Sequence, residues 1–258
     1  MPAGEPVRFL GIDFGWRSQP SGLCCLEWAE GQLVILDLCR LESVPEILGW
    51  VEQWAEANTG IAVDAPTIIT NPTGMRPCDR LTHKYFGKYD AGCYPANLSR
   101  PFAQRTVSFG ESLQKFGFSF APTMPPRRTG RWQIEVFPHT AIIHLFQLPK
   151  IIKYKKGKIE SRIHAIQQLH RLICTVLPQL EPSLHSRHQW LEEMTWQGIT
   201  GKQLKVMEDQ LDSLICAYTC AYWWYWGTAR NLVLGDADTG FIVVPSLREP
   251  ATQVHCKR

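Results

Sequence analysis

The order in which the first 66 residues alternate between β-prone runs and one capped helix leaves few folds open. Val7 to Ile12 is a short apolar run that ends in Gly11-Ile12-Asp13-Phe14-Gly15. Gly22 to Trp28 and Gln32 to Leu38 follow, split by the tight-turn pair Glu30-Gly31, so three antiparallel strands open the chain. Ser43-Val44-Pro45-Glu46 reads as a capping box with proline in the first turn, and Val44, Ile47, Leu48, Val51 and Trp54 recur behind it at helical spacing. This predicts an amphipathic helix to about Ala57, ended by Gly60, and then a buried strand in Ile61-Ala62-Val63-Asp64-Ala65-Pro66. A helix that crosses from a three-strand meander to a fourth strand implies a mixed sheet. With that strand parallel beside the first, Asp13 and Asp64 finish together at the carboxyl edge, where open α/β sheets place their sites.

The rest of the chain fits one domain over residues 1–245 with a loose tail over 246–258. Residues 66–131 are rich in Pro, Gly, Arg and aromatics, and a structureless loop of that length is improbable in a compact domain. They read as a basic, partly helical insertion, with helices near Cys78 to Tyr85 and Ser108 to Phe116. Trp132 to Phe137 is the next strand, followed by a short helix from Thr140 to Phe146. A longer helix carries the stripe Ile159, Ile163, Ile166, Leu169, Leu172, Ile173 and Val176. A last helix runs from about Lys202 to Trp226, and Leu232 to Leu234 pairs with Phe241 to Val244 across Gly235-Asp236.

Charge is unevenly spread over the 258 residues, whose net charge is only +3. Asn71 to Arg131 holds ten Lys or Arg against three Asp or Glu, and Lys150 to Cys174 holds seven against one. Two basic segments on an otherwise acidic chain predict a polyanion-facing surface. No basic region followed by an apolar run opens the chain, and Leu214 to Trp226 is too short to span a bilayer. The nine cysteines form no C-x-x-C pair and mostly sit inside apolar runs, which reads as reduced thiols in a cytoplasmic protein without membrane contact.

Five acidic residues stand out. Asp13 and Asp64 end apolar strands, where an unpaired carboxylate is costly. Glu135 lies within Ile134-Glu135-Val136-Phe137, and Asp209 and Asp212 share a helix face three residues apart. If they converge, each pair at about 4 Å repels by roughly 4 kcal/mol at an effective dielectric near 20. Such a cluster holds a proton or a cation, and oxygen-only ligands favour Mg²⁺ or Mn²⁺. A metal pair of that kind would activate a water for phosphodiester displacement.

These pieces together resemble the ribonuclease H-like superfamily, and within it the domain-of-unknown-function 429 family of predicted nucleases. The resemblance rests on Gly11-Ile12-Asp13-Phe14-Gly15, Ala62-Val63-Asp64-Ala65-Pro66, Arg76-Pro77-Cys78-Asp79-Arg80, Glu135-Val136-Phe137-Pro138, Glu208-Asp209-Gln210-Leu211-Asp212-Ser213-Leu214 and Gly240-Phe241-Ile242-Val243-Val244-Pro245. It implies a catalytic set of Asp13, Asp64, Glu135, Asp209 and Asp212, with Asp13, Asp64 and Asp212 as metal ligands. Ser213 stands where the family usually has Ala, a mild change that leaves the carboxylate in place. Nuclease chemistry is what the family implies; no particular substrate, DNA or RNA, comes with it.

Arg76, Arg80, Lys84 and Lys88 recur at helical spacing and are expected phosphate contacts, with Lys153, Lys155, Lys156 and Lys158 as a looser basic loop. The run Tyr222-Trp223-Trp224-Tyr225-Trp226 covers all sides of a helix, which points to packing or a homodimer contact more than to base stacking. His185-x-x-His188 lacks the neighbours of a zinc site and reads as surface. Two rival functions keep the same residues: a non-catalytic nucleic-acid-binding module, and an actin-like phosphotransferase using ATP. The latter normally needs a second copy of the sheet and further glycine-rich phosphate loops.

Overall fold

The computed structural model describes residues 6–17, 20–185, 191 and 196–247. Most of the expected tail and His188 lie outside the described residues. Strands β1 (Val7–Asp13), β2 (Ser21–Ala29) and β3 (Gln32–Leu41) form the opening meander. Helix α1 (Val44–Trp54) starts on the expected box, where Ser43 Oγ accepts from the Glu46 amide and the Glu46 carboxylate accepts from the Ser43 amide. It stops at Ala55, which turns extended, three residues short of the sequence-based end. Gly60 does not end this helix. It lies inside β4 (Asn58–Val63), paired with Phe9 on one side and Trp132 on the other.

Helices α2 (Pro77–Phe86) and α3 (Ala103–Lys115), a two-residue strand β5 (Ser119–Phe120), and β6 (Arg131–Glu135) follow. α3 begins five residues before its expected start. Its first buried positions are Ala103 and Thr106, too small or polar to register as an apolar stripe. Helices α4 (Pro138–Leu145), α5 (Ile159–Val176) and α6 (Gly201–Trp226) lead to the hairpin β7 (Asn231–Asp236) and β8 (Gly240–Pro245). The hairpin reverses after Asp236, not at it, because Asp236 Oδ1 accepts from the amides of Asp238 and Thr239 and fixes the turn there.

The main sheet has the order β3-β2-β1-β4-β6-β5. β2 is antiparallel to both neighbours, while β1, β4, β6 and β5 run parallel. Alternation along each strand splits the core into two layers. Leu10, Ile12, Ile61 and Val63 face α1 and α3, meeting Ile47, Val51, Phe109 and Leu113. On the opposite face Phe9, Cys24 and Ala62 pack with Leu214, Cys216, Ala217, Cys220 and Trp223 of α6. Most of the Trp run is therefore core: Trp223 is fully buried and Trp224 nearly so, while Trp226 is half-buried. The hairpin packs with Cys78 and Phe86 of α2 and Ile143 of α4, and touches the main sheet through a parallel bridge between Val136 and Val243. Among the described residues no helix is long and apolar enough to cross a membrane, and Cys24, Cys25, Cys78, Cys93, Cys216 and Cys220 are buried free thiols.

Two glycines bring α6 down onto the sheet. A Cβ at Gly11 would land on the backbone of Ser213 and Ala217, and one at Gly22 on the backbone of Asp209. Neither obstacle is a flexible side chain that could swing aside. Gly11→Ala is expected to cost about 2 kcal/mol or more by overpacking, a fall in Tm of roughly 4–8 °C in a thermal melt. An unchanged Tm would show that the helix can lift at no cost.

Candidate active site

The parallel strands bring three acids to one edge. Asp13 is the last residue of β1, Asp64 directly follows β4, and Glu135 ends β6. The register places Ile12 beside Val63 and Val63 beside Glu135, and the Asp64 amide continues the ladder by donating to Ile12 O at 2.9 Å. Because α6 touches β1 at Ser213 and β2 at Asp209, its two aspartates arrive at the same edge. The result is a cleft of about 730 Å³ whose walls include Asp13, Asp64, Glu135 and Asp209 together with Lys155 and His139. Asp212 lies fully buried behind the wall.

Protein cations partner some of these acids and leave others. Arg76 grips Glu135 with both terminal nitrogens, at 2.6 and 2.8 Å, and holds Asp79 at 2.8 Å. Burial pushes Glu135 up and Arg76 pulls it back, leaving it raised to about 7, while the fork gives it two charge-assisted hydrogen bonds. Asp209 meets Arg40 at 2.9 Å and Lys205 at 2.8 Å. Asp212 accepts from the Tyr154 hydroxyl at 2.6 Å and faces the Lys155 ammonium at 2.8 Å. Asp13 and Asp64 have no ion pair and no side-chain hydrogen bond among the described residues. Burial holds Asp13 well above the carboxylate range and pushes Asp64 up to about 7; Lys155 pulls both back and Asp212 pushes both further up. Lys155 is held well above its ordinary value because Asp212, Asp13 and Asp64 outweigh its burial. His139 is pushed down to about 4, first by burial and then by Lys155, and is neutral at neutral pH.

The four expected phosphate contacts do not act as one face. Arg76 is the N-cap residue of α2, 2% exposed and committed to internal carboxylates. Arg80 donates to Met75 O, and Lys84 and Lys88 lie over the rings of Tyr85 and Tyr89; these three are exposed and outside the cleft lining. Lys155 was visible only as one lysine of a basic loop. Its neighbours explain its inward turn, since Ile152 and Tyr154 are buried anchors in that stretch while Lys153 and Lys156 stay exposed.

No three His, Cys, Asp or Glu side chains among the described residues are gathered as a ready-made metal centre. The donor chemistry nonetheless suits a hard divalent cation: two oxygen-only carboxylates without a bonded protein cation lie near a third, the buried Asp212, whose Oδ2 meets only a lysine.

Fold and site together define a mixed-sheet α/β protein with a carboxylate cleft at the end of its parallel strands. Residues 11–238 match the family described as Protein of unknown function (DUF429), and the chain belongs to that family. No curated protein matches it.

Two measurements probe this charge arrangement. Arg76→Met leaves Asp79 and Glu135 buried without their cation and is expected to cost about 3–5 kcal/mol in urea unfolding. A loss under 1 kcal/mol would mean that Arg76 is not the internal partner described. Asp64 titrates near 7 when folded against an ordinary 3.8, so the folded chain holds the extra proton between those values. Its contribution to stability is therefore present at low pH and lost as pH rises from about 4 to 7. Asp64→Asn should flatten the metal-free stability profile over that window, and an unaltered slope would contradict the raised value.

Proposed function

We propose that this chain is a divalent-metal-dependent nuclease on a ribonuclease H-like sheet, hydrolysing phosphodiester bonds of DNA or RNA. The observation that carries the reading is the pair Asp13 and Asp64. They stand at the ends of adjacent parallel strands, have no protein cation bonded to them, and are set against Asp212 from the last helix. The strand order, with β2 alone reversed, supports the ribonuclease H-like part of the reading.

Mg²⁺ or Mn²⁺ bound by Asp13, Asp64 and Asp212 would supply the charge that activates a water and stabilises the leaving oxygen. The chain's own groups divide the other tasks. Asp13 and Asp64 offer hard oxygen donors at the end of a rigid sheet. Tyr154 fixes the rotamer of Asp212 through its hydroxyl, and Lys155 is a cation on the cleft wall within reach of a phosphate oxygen. Arg76 and Arg40 absorb the charges of Glu135 and Asp209, so these acids support the edge without repelling a polyanion at full strength.

One observation favours a second reading. The Lys155 ammonium already supplies a cation to Asp212 and attracts Asp13 and Asp64, as a non-catalytic nucleic-acid-binding module would need. An ATP-dependent phosphotransferase of the actin-like type gains no comparable support, because the described residues hold one six-stranded sheet and a hairpin and no second copy. Labelled single strands, duplexes, hybrids and branched DNA incubated with Mn²⁺ separate these readings. The nuclease reading expects metal-dependent cutting that falls to background in Asp13→Asn. Binding without cutting, unchanged by Asp13→Asn, would replace it with the binding module.

A further inference from the structure

The outer part of the cleft has a chemistry different from its acidic floor. Trp16, Tyr94 and Phe102 meet there from three separate segments, with ring centroids 4.6 Å apart for Trp16 and Phe102 and 6.1 Å for Tyr94 and Phe102. Tyr94 is 56% exposed, the most exposed large apolar side chain among the described residues. This platform is tied directly to the acids, because the Trp16 indole N–H donates to the Asp64 backbone carbonyl at 2.9 Å.

Arginines surround the rings. The Arg100 guanidinium lies 5.0 Å from the Tyr94 ring centre, and its buried Nε has no hydrogen-bond partner. Arg105 donates to Gly15 O at 2.9 Å and lies 5.1 Å from the Phe14 ring centre, and Arg17 is exposed on the cleft wall. None of these three arginines has an acidic partner within 4 Å among the described residues, in contrast to Arg40 and Arg76 on the floor. The charge of Arg17 and Arg100, which line the cleft, is available to a ligand.

We infer that this rim is a subsite for single-stranded nucleic acid, in which an unpaired base stacks on Tyr94 and the flanking phosphates meet Arg100 and Arg17. The inference rests on the reading of the cleft as a nucleic-acid site and names its substrate class. Stacking on a side chain requires a base free of its own stack, which single strands and frayed ends provide and an intact duplex does not. The positive rim complements the phosphodiester backbone. Because rim and floor line one cleft, a strand held by its base on the rim would run on toward Asp13 and Asp64.

Binding is measured by fluorescence anisotropy with labelled single-stranded and duplex oligonucleotides in EDTA, so that no cutting intervenes. The wild type is expected to bind single strands at least tenfold more tightly than duplex. Tyr94→Ala should weaken single-strand binding by about tenfold, while Tyr94→Phe, which keeps the ring, should retain it. Arg100→Gln should reduce the slope of log affinity against log salt by about 0.7. Tyr94 is mostly exposed, so its replacement should leave the melting curve unchanged, which separates lost stacking from lost folding. Equal affinity for duplex, or single-strand affinity indifferent to Tyr94→Ala, overturns the inference. Tyr94-dependent single-strand binding by a protein that never cuts with Mn²⁺ supports the inference and removes only the nuclease reading.

Discussion

The backbone contact between α6 and the first two strands is the constraint from which the site follows. Helices usually rest on sheets through side chains, which keep the two backbones well apart. Here Gly11 and Gly22 remove those side chains, and the helix backbone at Asp209, Ser213 and Ala217 settles directly over β1 and β2. That approach carries Asp209 and Asp212 to the edge where β1 and β4 deliver Asp13 and Asp64. A helix held at ordinary distance would leave its carboxylates several ångströms away, with little electrostatic hold on the strand-end pair.

Drawing these acids together creates repulsion on the order of 4 kcal/mol for each pair near 4 Å at an effective dielectric near 20. The fold offsets it unequally. Arg40 comes from β3, Arg76 from the residue before α2, Arg162 from α5, Lys205 from α6 itself and Lys155 from the stretch before α5. Each reaches a particular acid, so Glu135, Glu208 and Asp209 are close to neutralised. Asp13 and Asp64 have no bonded cation; burial raises both, against the through-space pull of Lys155 and, on Asp64, of Lys205. The uneven compensation separates structural carboxylates from those whose charge is left for something else to meet.

Much of this was legible in the sequence because it is written locally. Asp13 and Asp64 end apolar runs, the Ser43–Glu46 box marks a helix start, and Ile159 to Val176 has a clear helical stripe. Contacts that depend on distant partners were not legible. Arg76 looks like a surface cation until Glu135, 59 residues away, is brought beside it. Lys155 cannot be told from Lys153 or Lys156 without seeing that Tyr154 is buried against Asp212. Gly60 carries the composition of a helix stop, yet strand pairing with Phe9 and Trp132 outweighs that preference. Trp16, Tyr94 and Phe102 are separated by loops and meet only in the folded chain.

The charge pattern of the cleft has a consequence for how two ligands would bind together. A polyanion approaching it is drawn to the arginines of the rim and repelled by Asp13 and Asp64 on the floor to the extent that these are ionised. Under the proposed function, a divalent cation on the floor would remove that repulsion, and a bound phosphate would offer the cation oxygen ligands. Each ligand therefore neutralises what opposes the other. The coupling must be reciprocal, so whatever factor the cation adds to polyanion affinity, the polyanion adds to cation affinity. Lys155 opposes this coupling, because its ammonium reaches Asp212 first and lowers the floor's demand for a second cation. Under the proposed function, an isolated chain then binds metal weakly, and the cleft becomes fully charged for hydrolysis only when the nucleic acid is already in place.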